Sequence, residues 1–223
     1  MPRPVLRSYK LTVDSGFAPN PFWGLLTLAT CKPGIRRVSK EGEWIAGFTS
    51  TKKPWCDPVR RERLIYLMQV EQVVPYAEYY RGEEFRKKIP VADDPDRRLH
   101  AGDNMYIPTV DDPAPDQFEL VKGASHGEDE KPTDLSGRNA LVARRFVYFG
   151  REPLTIPTEL RPDLPEGPSY YGRFTQNPDR VVAFIKYVES VAGLEGALRA
   201  MPSSWLQDHL APPGARCASR RPK

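Results

Sequence analysis

Apolar positions recur with a period of two in short runs along most of the chain, and only near its end do they switch to a helical period. Between Leu6 and Val13, Tyr9, Leu11 and Val13 fall on one face and Ser8, Lys10 and Thr12 on the other, which predicts a strand. Asp14-Ser15-Gly16 is turn chemistry. Ala18-Pro19-Asn20-Pro21 cannot continue a ladder, because each proline lacks an N–H and restrains its predecessor, so a structured loop follows. Phe22 to Cys31 is apolar and threonine-rich and fits a buried strand or a short helix equally. Gly42 to Phe48 predicts a short strand and Arg63 to Val74 a longer one, and their pairing would form half of a barrel. Pro75 to Lys88 reads as one or two helical turns. Asp93 to Asp116 is dominated by acidic residues and prolines, and Gly123 to Gly137 is polar and expected to be mobile. Ala140 to Gly150 reads as a further core strand with Arg144 and Arg145 in its middle. From Asn177 the period becomes helical: Asn177 can cap, Pro178 suits the first turn, and Val181, Phe184, Ile185 and Val188 follow at i, i+3, i+4 and i+7.

Composition narrows the class. A chain of 223 residues fits one domain, taken here as residues 5–200, and 24 prolines argue against an all-helical fold. The excess of 33 Lys+Arg over 29 Asp+Glu favours a polyanionic partner only mildly. Residues 211–223 are proline-rich and basic without apolar periodicity, which predicts a disordered basic tail. Cys31, Cys56 and Cys217 form no close pair, and no export core or membrane-length apolar run is present, so a cytoplasmic protein without disulfides is expected.

No glycine-rich phosphate loop, nucleophile elbow or paired metal-binding histidines occur, so the common nucleotide-hydrolysing folds are disfavoured. His100, His126 and His209 stand far apart in polar segments, and His126 is the one worth testing. Zinc would require Cys31, Cys56 and His126 to converge through the fold, so no metal is expected, nor any cofactor. The informative stretch is Asp14 to Arg37. Phe17, Phe22 and Trp23 offer faces on which a base can stack, Asp14, Asn20 and Thr30 can read its edge, and Lys32, Arg36 and Arg37 can neutralise phosphate. The same rings could instead pack into the core. Asp103, Asn104 and Tyr106 form a second polar and aromatic cluster, also readable as a tight turn. Lys52, Lys53, Arg60 and Arg61 would add salt-dependent phosphate contacts.

The words SYKLTVDSGFAPNPFWGLLTLATCKPGIRR, EGEWIAGF, RLIYLMQV, GDNMY and RRFVYFG resemble the nucleotide-modification-associated domain family, in its second group, over roughly residues 8 to 156. That resemblance implies a setting in prokaryotic or phage DNA modification. A weaker similarity, through the Gly-Glu-Trp strand at Gly42, Glu43 and Trp44, is to PUA-like barrels of the EVE and ASCH kind. These hold a modified base in a pocket, at whose mouth residues 14–20 would lie. The long loops at 49–62 and 93–137 depart from those barrels.

The resulting expectation is an α+β domain built on a PUA-like small β-barrel with peripheral helices and long loops. Its partner is a nucleic acid or nucleotide, and its task is recognition of a modified base. Aromatic stacking of about 1–3 kcal/mol per base would offset the cost of unstacking. The rival is an enzyme acting on a base or nucleotide. Asp14 would then be a general base raised by burial, or Cys31 a nucleophile activated by Lys32 and Arg36. A protein-interaction scaffold would instead present an exposed apolar patch.

Overall fold

Residues 3–50, 62–166 and 171–205 are described by a computed structural model. The alternating segments become strands. In chain order they are β1 (Leu6–Leu11), β2 (Leu26–Leu28), β3 (Trp44–Thr49), β4 (Leu64–Gln69), β5 (Gln72–Pro75), β6 (Tyr106–Pro108), β7 (Phe118–Leu120), β8 (Asn139–Ala143), β9 (Phe146–Tyr148), β10 (Arg173–Phe174) and β11 (Glu195–Leu198). The helices are α1 (Pro33–Val38), α2 (Tyr76–Arg81), α3 (Arg97–His100), α4 (Lys131–Leu135) and α5 (Pro178–Ala192).

The six-stranded sheet runs β10-β1-β3-β4-β9-β11, and β2-β8-β5 form a second sheet. Period-two alternation sorts the side chains of β3: Trp44, Ala46 and Phe48 face α5, whereas Ile45 faces the second sheet. A register shift between Gly47 and Phe48 rephases β4, placing Leu64 and Leu67 under α5 and Ile65, Tyr66 and Met68 on the other side. Gly47 is required there, since a Cβ would stand 2.2 Å from the Tyr66 ring. A third cluster, with Phe17, Tyr76, Tyr79, Tyr106 and Leu135, covers the far face of the second sheet. The layers are therefore α5, large sheet, small sheet, and a cap of α2, α4 and β6–β7.

Two segments that read as single strands are each divided. The 63–74 run breaks at Val70-Glu71, and the 140–150 run breaks at Arg144-Arg145, so each chain leaves one sheet and enters the other. Glu71 causes both corners to coincide: its carboxylate accepts from the backbone N–H of Arg144 (3.0 Å) and of Arg145 (2.8 Å). The corners link the sheets, but no closed barrel is found among the described residues. The polar 123–137 segment, expected to be mobile, packs instead, with Asp134 and Leu135 buried. Helix α5 forms as its sequence predicts. The Asn177 side chain accepts from the N–H groups of Asp179 (3.0 Å) and Arg180 (3.1 Å), and Val181, Phe184 and Val188 are fully buried. Asn177→Ala is expected to lower stability by about 1 kcal/mol in urea unfolding. No helix among the described residues is long and apolar enough to cross a membrane.

Candidate functional site

The site begins where β2 ends. Beyond Leu28 the chain turns sharply before α1, with Cys31 at φ +54° and Lys32 at φ +39°. These are left-handed conformations that side-chain-bearing residues adopt at a cost of about 1–3 kcal/mol, so surrounding bonds must enforce them. They do. The N–H of Cys31 donates to Asp134 Oδ1 at 2.8 Å, and its carbonyl accepts from Arg36 Nε at 2.7 Å. The result is a strand–turn–helix segment whose strained backbone at Cys31 and Lys32 carries a thiol.

Asp134 belongs to α4 on the folded-back polar segment. Its Oδ2 is 2.6 Å from His126 Nδ1 and 2.7 Å from the Tyr106 hydroxyl, which donates to it. His126 Nε2 in turn lies 3.9 Å from Cys31 Sγ. Burial works to raise the Asp134 carboxyl, but the hydrogen bond and charge of His126, with Arg36 and Tyr106, hold it below its ordinary value. A carboxylate can only accept, so Nδ1 of His126 carries a proton, and in the neutral imidazole Nε2 turns a lone pair to the thiol. Phe17 meets the imidazole edge-on at 4.8 Å between centroids. A recess of about 360 Å³, lined by Ala124 to Glu130, opens beside His126.

Arg36 supports this line from beneath. It is wholly buried, donating to Asp134 O (2.7 Å), Asn139 O (2.9 Å) and the Tyr76 hydroxyl, with NH2 3.9 Å from Asp134 Oδ1. Gly137 lies so close that a Cβ would stand 2.4 Å from the guanidinium. Arg36 therefore binds the loops of the site together, with its donors turned inward and not toward a phosphate in solvent.

The other residues singled out in the sequence fall into separate groups. Asp14 is buried and accepts from the Tyr148 hydroxyl and from Ser203 N (3.0 Å), joining the first loop to the last described segment. Burial raises its carboxyl, with those donors pulling it back. Asn20, fully buried, donates to Ala101 O at 2.7 Å and accepts from Lys88 Nζ at 2.7 Å. Phe22 stacks on Trp205 at 5.3 Å, and half-buried Trp23 lies beneath Lys87 (5.0 Å) and Arg98 (4.4 Å). Thr30 is buried. Asp103 accepts from Thr27 Oγ1 and the Tyr79 hydroxyl, each at 2.7 Å, and Asn104 donates to Tyr79 O at 2.9 Å. Lys32 stands 5.0 Å above the Tyr9 ring, and exposed Arg37 reaches the Tyr171 hydroxyl at 3.1 Å. Lys52, Lys53, Cys56, Arg60 and Arg61, with the tail at 211–223, lie outside the described residues. The structure thus brings Cys31, Phe17, Tyr106 and Arg36 together around one point. It adds Asp134, which nothing in its sequence neighbourhood marked out.

No curated protein and no solved structure matches the chain. The family model described as nucleotide modification associated domain 2 matches residues 3–209, and with most of its length so covered the chain belongs to that family.

Proposed function

We propose that the protein is an enzyme of nucleotide modification that transfers an acyl group through Cys31. The observation that carries this reading is the line from Cys31 Sγ to His126 Nε2 (3.9 Å) and from His126 Nδ1 to Asp134 (2.6 Å). Nucleophile, base and orienting carboxylate stand in sequence there, recognisable by role and geometry.

In the first step Nε2 takes the thiol proton while Sγ bonds to an acyl carbon. The carbon's bond to a nitrogen or oxygen leaving group breaks, and the imidazolium returns the proton to that departing atom. An S-acyl thioester remains. Water or an amine then attacks it, losing its proton to the same nitrogen, and the thiolate leaves and is reprotonated. No oxidant or reductant enters the balance. Membership of a nucleotide-modification-associated family supports a nucleotide as the carrier of either the acyl group or the amine that receives it.

Base recognition by Asn20, Asp103 and Asn104 has weaker support, since their polar tips are already bonded within the protein. We assign them to holding the loop that seats Phe17 against His126. Recognition of a base, and any likeness of the linked sheets to a PUA-like barrel, would serve to bring substrate to Cys31.

The test uses p-nitrophenyl acetate as acyl donor. The wild-type protein should release a burst of p-nitrophenolate, with the acetyl group mapped by peptide mass to Cys31. His126→Ala should slow the burst by about 10²–10⁴-fold. Cys31→Ala should abolish it. Acetylation of Cys31 at the rate of a free thiol, or a burst indifferent to His126, would overturn the reading.

A further inference from the structure

Beyond the turn that carries Cys31 lies a surface whose chemistry the acyl-transfer reading leaves unused. Helix α1 starts two residues after Cys31 and sends Arg36 inward and Arg37 outward. Against its outer side lies the segment 171–174. Gly172 is seated so tightly, at φ +70°, that a Cβ would stand 3.0 Å from Ser8 O and 3.2 Å from Ile35 of α1. Strand β10 then pairs with β1, setting Phe174 beside Arg7 and Arg173 beside Ser8.

This docking presents two aromatic rings to solvent, Tyr171 at 47% and Phe174 at 36% exposure. Two large rings held outward three residues apart form an exposed apolar patch of the kind that marks binding surfaces. Cations flank both. Arg37 bonds the Tyr171 hydroxyl at 3.1 Å, and the Arg7 guanidinium lies 5.8 Å from the Phe174 ring, whereas Arg173, the neighbour of Phe174 in the strand, leaves on the opposite face. Arg7 is also near the carboxylate of Glu43, at 3.6 Å. Lys32 follows Cys31 in the chain and stands 5.0 Å above the ring of Tyr9, which shares its face of β1 with Arg7.

We infer that this face, formed by Arg7, Lys32, Arg37, Tyr171 and Phe174, is a track for a single-stranded polynucleotide, and that such a strand is the substrate class delivered to Cys31. Exposed rings have flat faces that any unpaired base can stack on, whereas a duplex hides those faces. Arginines at this spacing follow the phosphates without reading sequence. The inference deepens the acyl-transfer reading and rests on it only for what happens at the thiol.

The test measures fluorescence anisotropy of labelled oligo(dT), with the matching duplex and dTMP as competitors, at about 50 and 200 mM salt. The single strand is expected to bind most tightly. Removing each ring, in Tyr171→Ala, Phe174→Ala and the double variant, should weaken binding about tenfold or more and leave the salt slope unchanged. Arg37→Ala with Arg7→Ala should flatten the slope by about 0.7 for each phosphate deprived of its arginine. Saturating oligo(dT) should also protect Cys31 from iodoacetamide. Melting curves of the variants establish that each is folded, and both rings lie on a two-residue edge strand or just before it.

Equal affinity of wild type and the double ring variant, a preference for duplex or dTMP, or strand binding that leaves alkylation of Cys31 unslowed would each overturn the track. None of these outcomes alters the dependence of the p-nitrophenyl acetate burst on His126. Loss of that dependence with strand binding intact would overturn the acyl-transfer reading and leave the track standing.

Discussion

Asparagine in place of Asp134 is expected to slow acylation of Cys31 by about 10⁴-fold, the loss found when the carboxylate of a nucleophile–histidine–aspartate array is replaced by its amide. The reason lies in the protons. Asn keeps an oxygen that can still accept from the Cys31 N–H, now at 2.8 Å, but its second atom becomes an NH2 facing His126 Nδ1, where a carboxylate oxygen stood at 2.6 Å. Two donors cannot face each other, so the imidazole takes its other tautomer, and Nε2 turns an N–H instead of a lone pair to Sγ. The Tyr106 hydroxyl, which donated to the same oxygen, must reverse and accept. The base is then disabled while its position is kept. The measurement is the p-nitrophenolate burst rate across pH. The gap between wild type and Asp134→Asn should narrow as pH rises, because a thiol that is already ionised no longer needs the imidazole to take its proton. A burst of wild-type speed at neutral pH would exclude Asp134 from the array. A gap that stays constant across pH would place its role in structure alone.

How much of this is legible along the chain depends on whether the signal is local. The cap of α5 is local: Asn177, Pro178 and the apolar stripe specify start, direction and buried face within twelve residues, and all three appear. The alternation of β1 and β3 is local too. The division of the two longer runs is half legible, since Arg144 and Arg145 visibly interrupt an apolar strand. The partner that turns the interruption into a corner, Glu71, lies 73 residues away from Arg144. The proposed catalytic line is less local still. Cys31 and His126 are 95 residues apart, and Cys31 and Asp134 are 103 apart. Their segment reads as a polar loop because buried carboxylates and imidazoles look the same in sequence as solvated ones. Only their partners make burial affordable, and those partners are tertiary. The aromatics of the first loop stand out in the sequence, but which way each ring faces is not encoded in their spacing. Phe17 is turned onto the imidazole and Phe22 onto Trp205, whereas the rings that do reach solvent, Tyr171 and Phe174, sit on an edge whose pairing with β1 no pattern announces.

Methionine in place of Lys88 is expected to destabilise the protein by about 3–5 kcal/mol, the range for removing one partner of a buried charged network. Lys88 is fully enclosed, and its ammonium meets Asn20 O (3.0 Å), Asn20 Oδ1 (2.7 Å), Phe22 O (2.9 Å) and Leu25 O (2.8 Å). Four oxygens of one loop converge on a single nitrogen, which organises the chain between Pro19 and Leu26 as a bound cation would. Asp103 lies close enough to stabilise the charge, and Thr27 and Tyr79 hold its carboxyl. Methionine matches the stem but donates nothing, so the four acceptors and the carboxylate lose their common partner. Because the loop carries Phe17 to His126, the burst should slow as well, less than for Asp134→Asn. The pH dependence gives a second reading. Burial pulls the Lys88 ammonium down to about 7, against the attraction of Asp103, whereas a lysine in the unfolded chain titrates near 10.4. Between these values the unfolded chain holds a proton that the folded protein has released, so folding stability rises with pH from about 7 toward 10. Below 7 both states hold the proton and the slope vanishes. Subtracting Lys88→Met from wild type cancels the buried tyrosines, which bend both curves downward near pH 10. The difference should therefore be smaller at pH 6 than at pH 9, as measured by urea unfolding at each pH. Lys88→Met combined with Asp103→Asn should recover part of the loss, since the carboxylate no longer needs a counter-charge. A difference that does not change between pH 6 and pH 9 would mean that folded Lys88 keeps its proton through this range, and a double variant no more stable than Lys88→Met alone would mean that Asp103 does not depend on its charge.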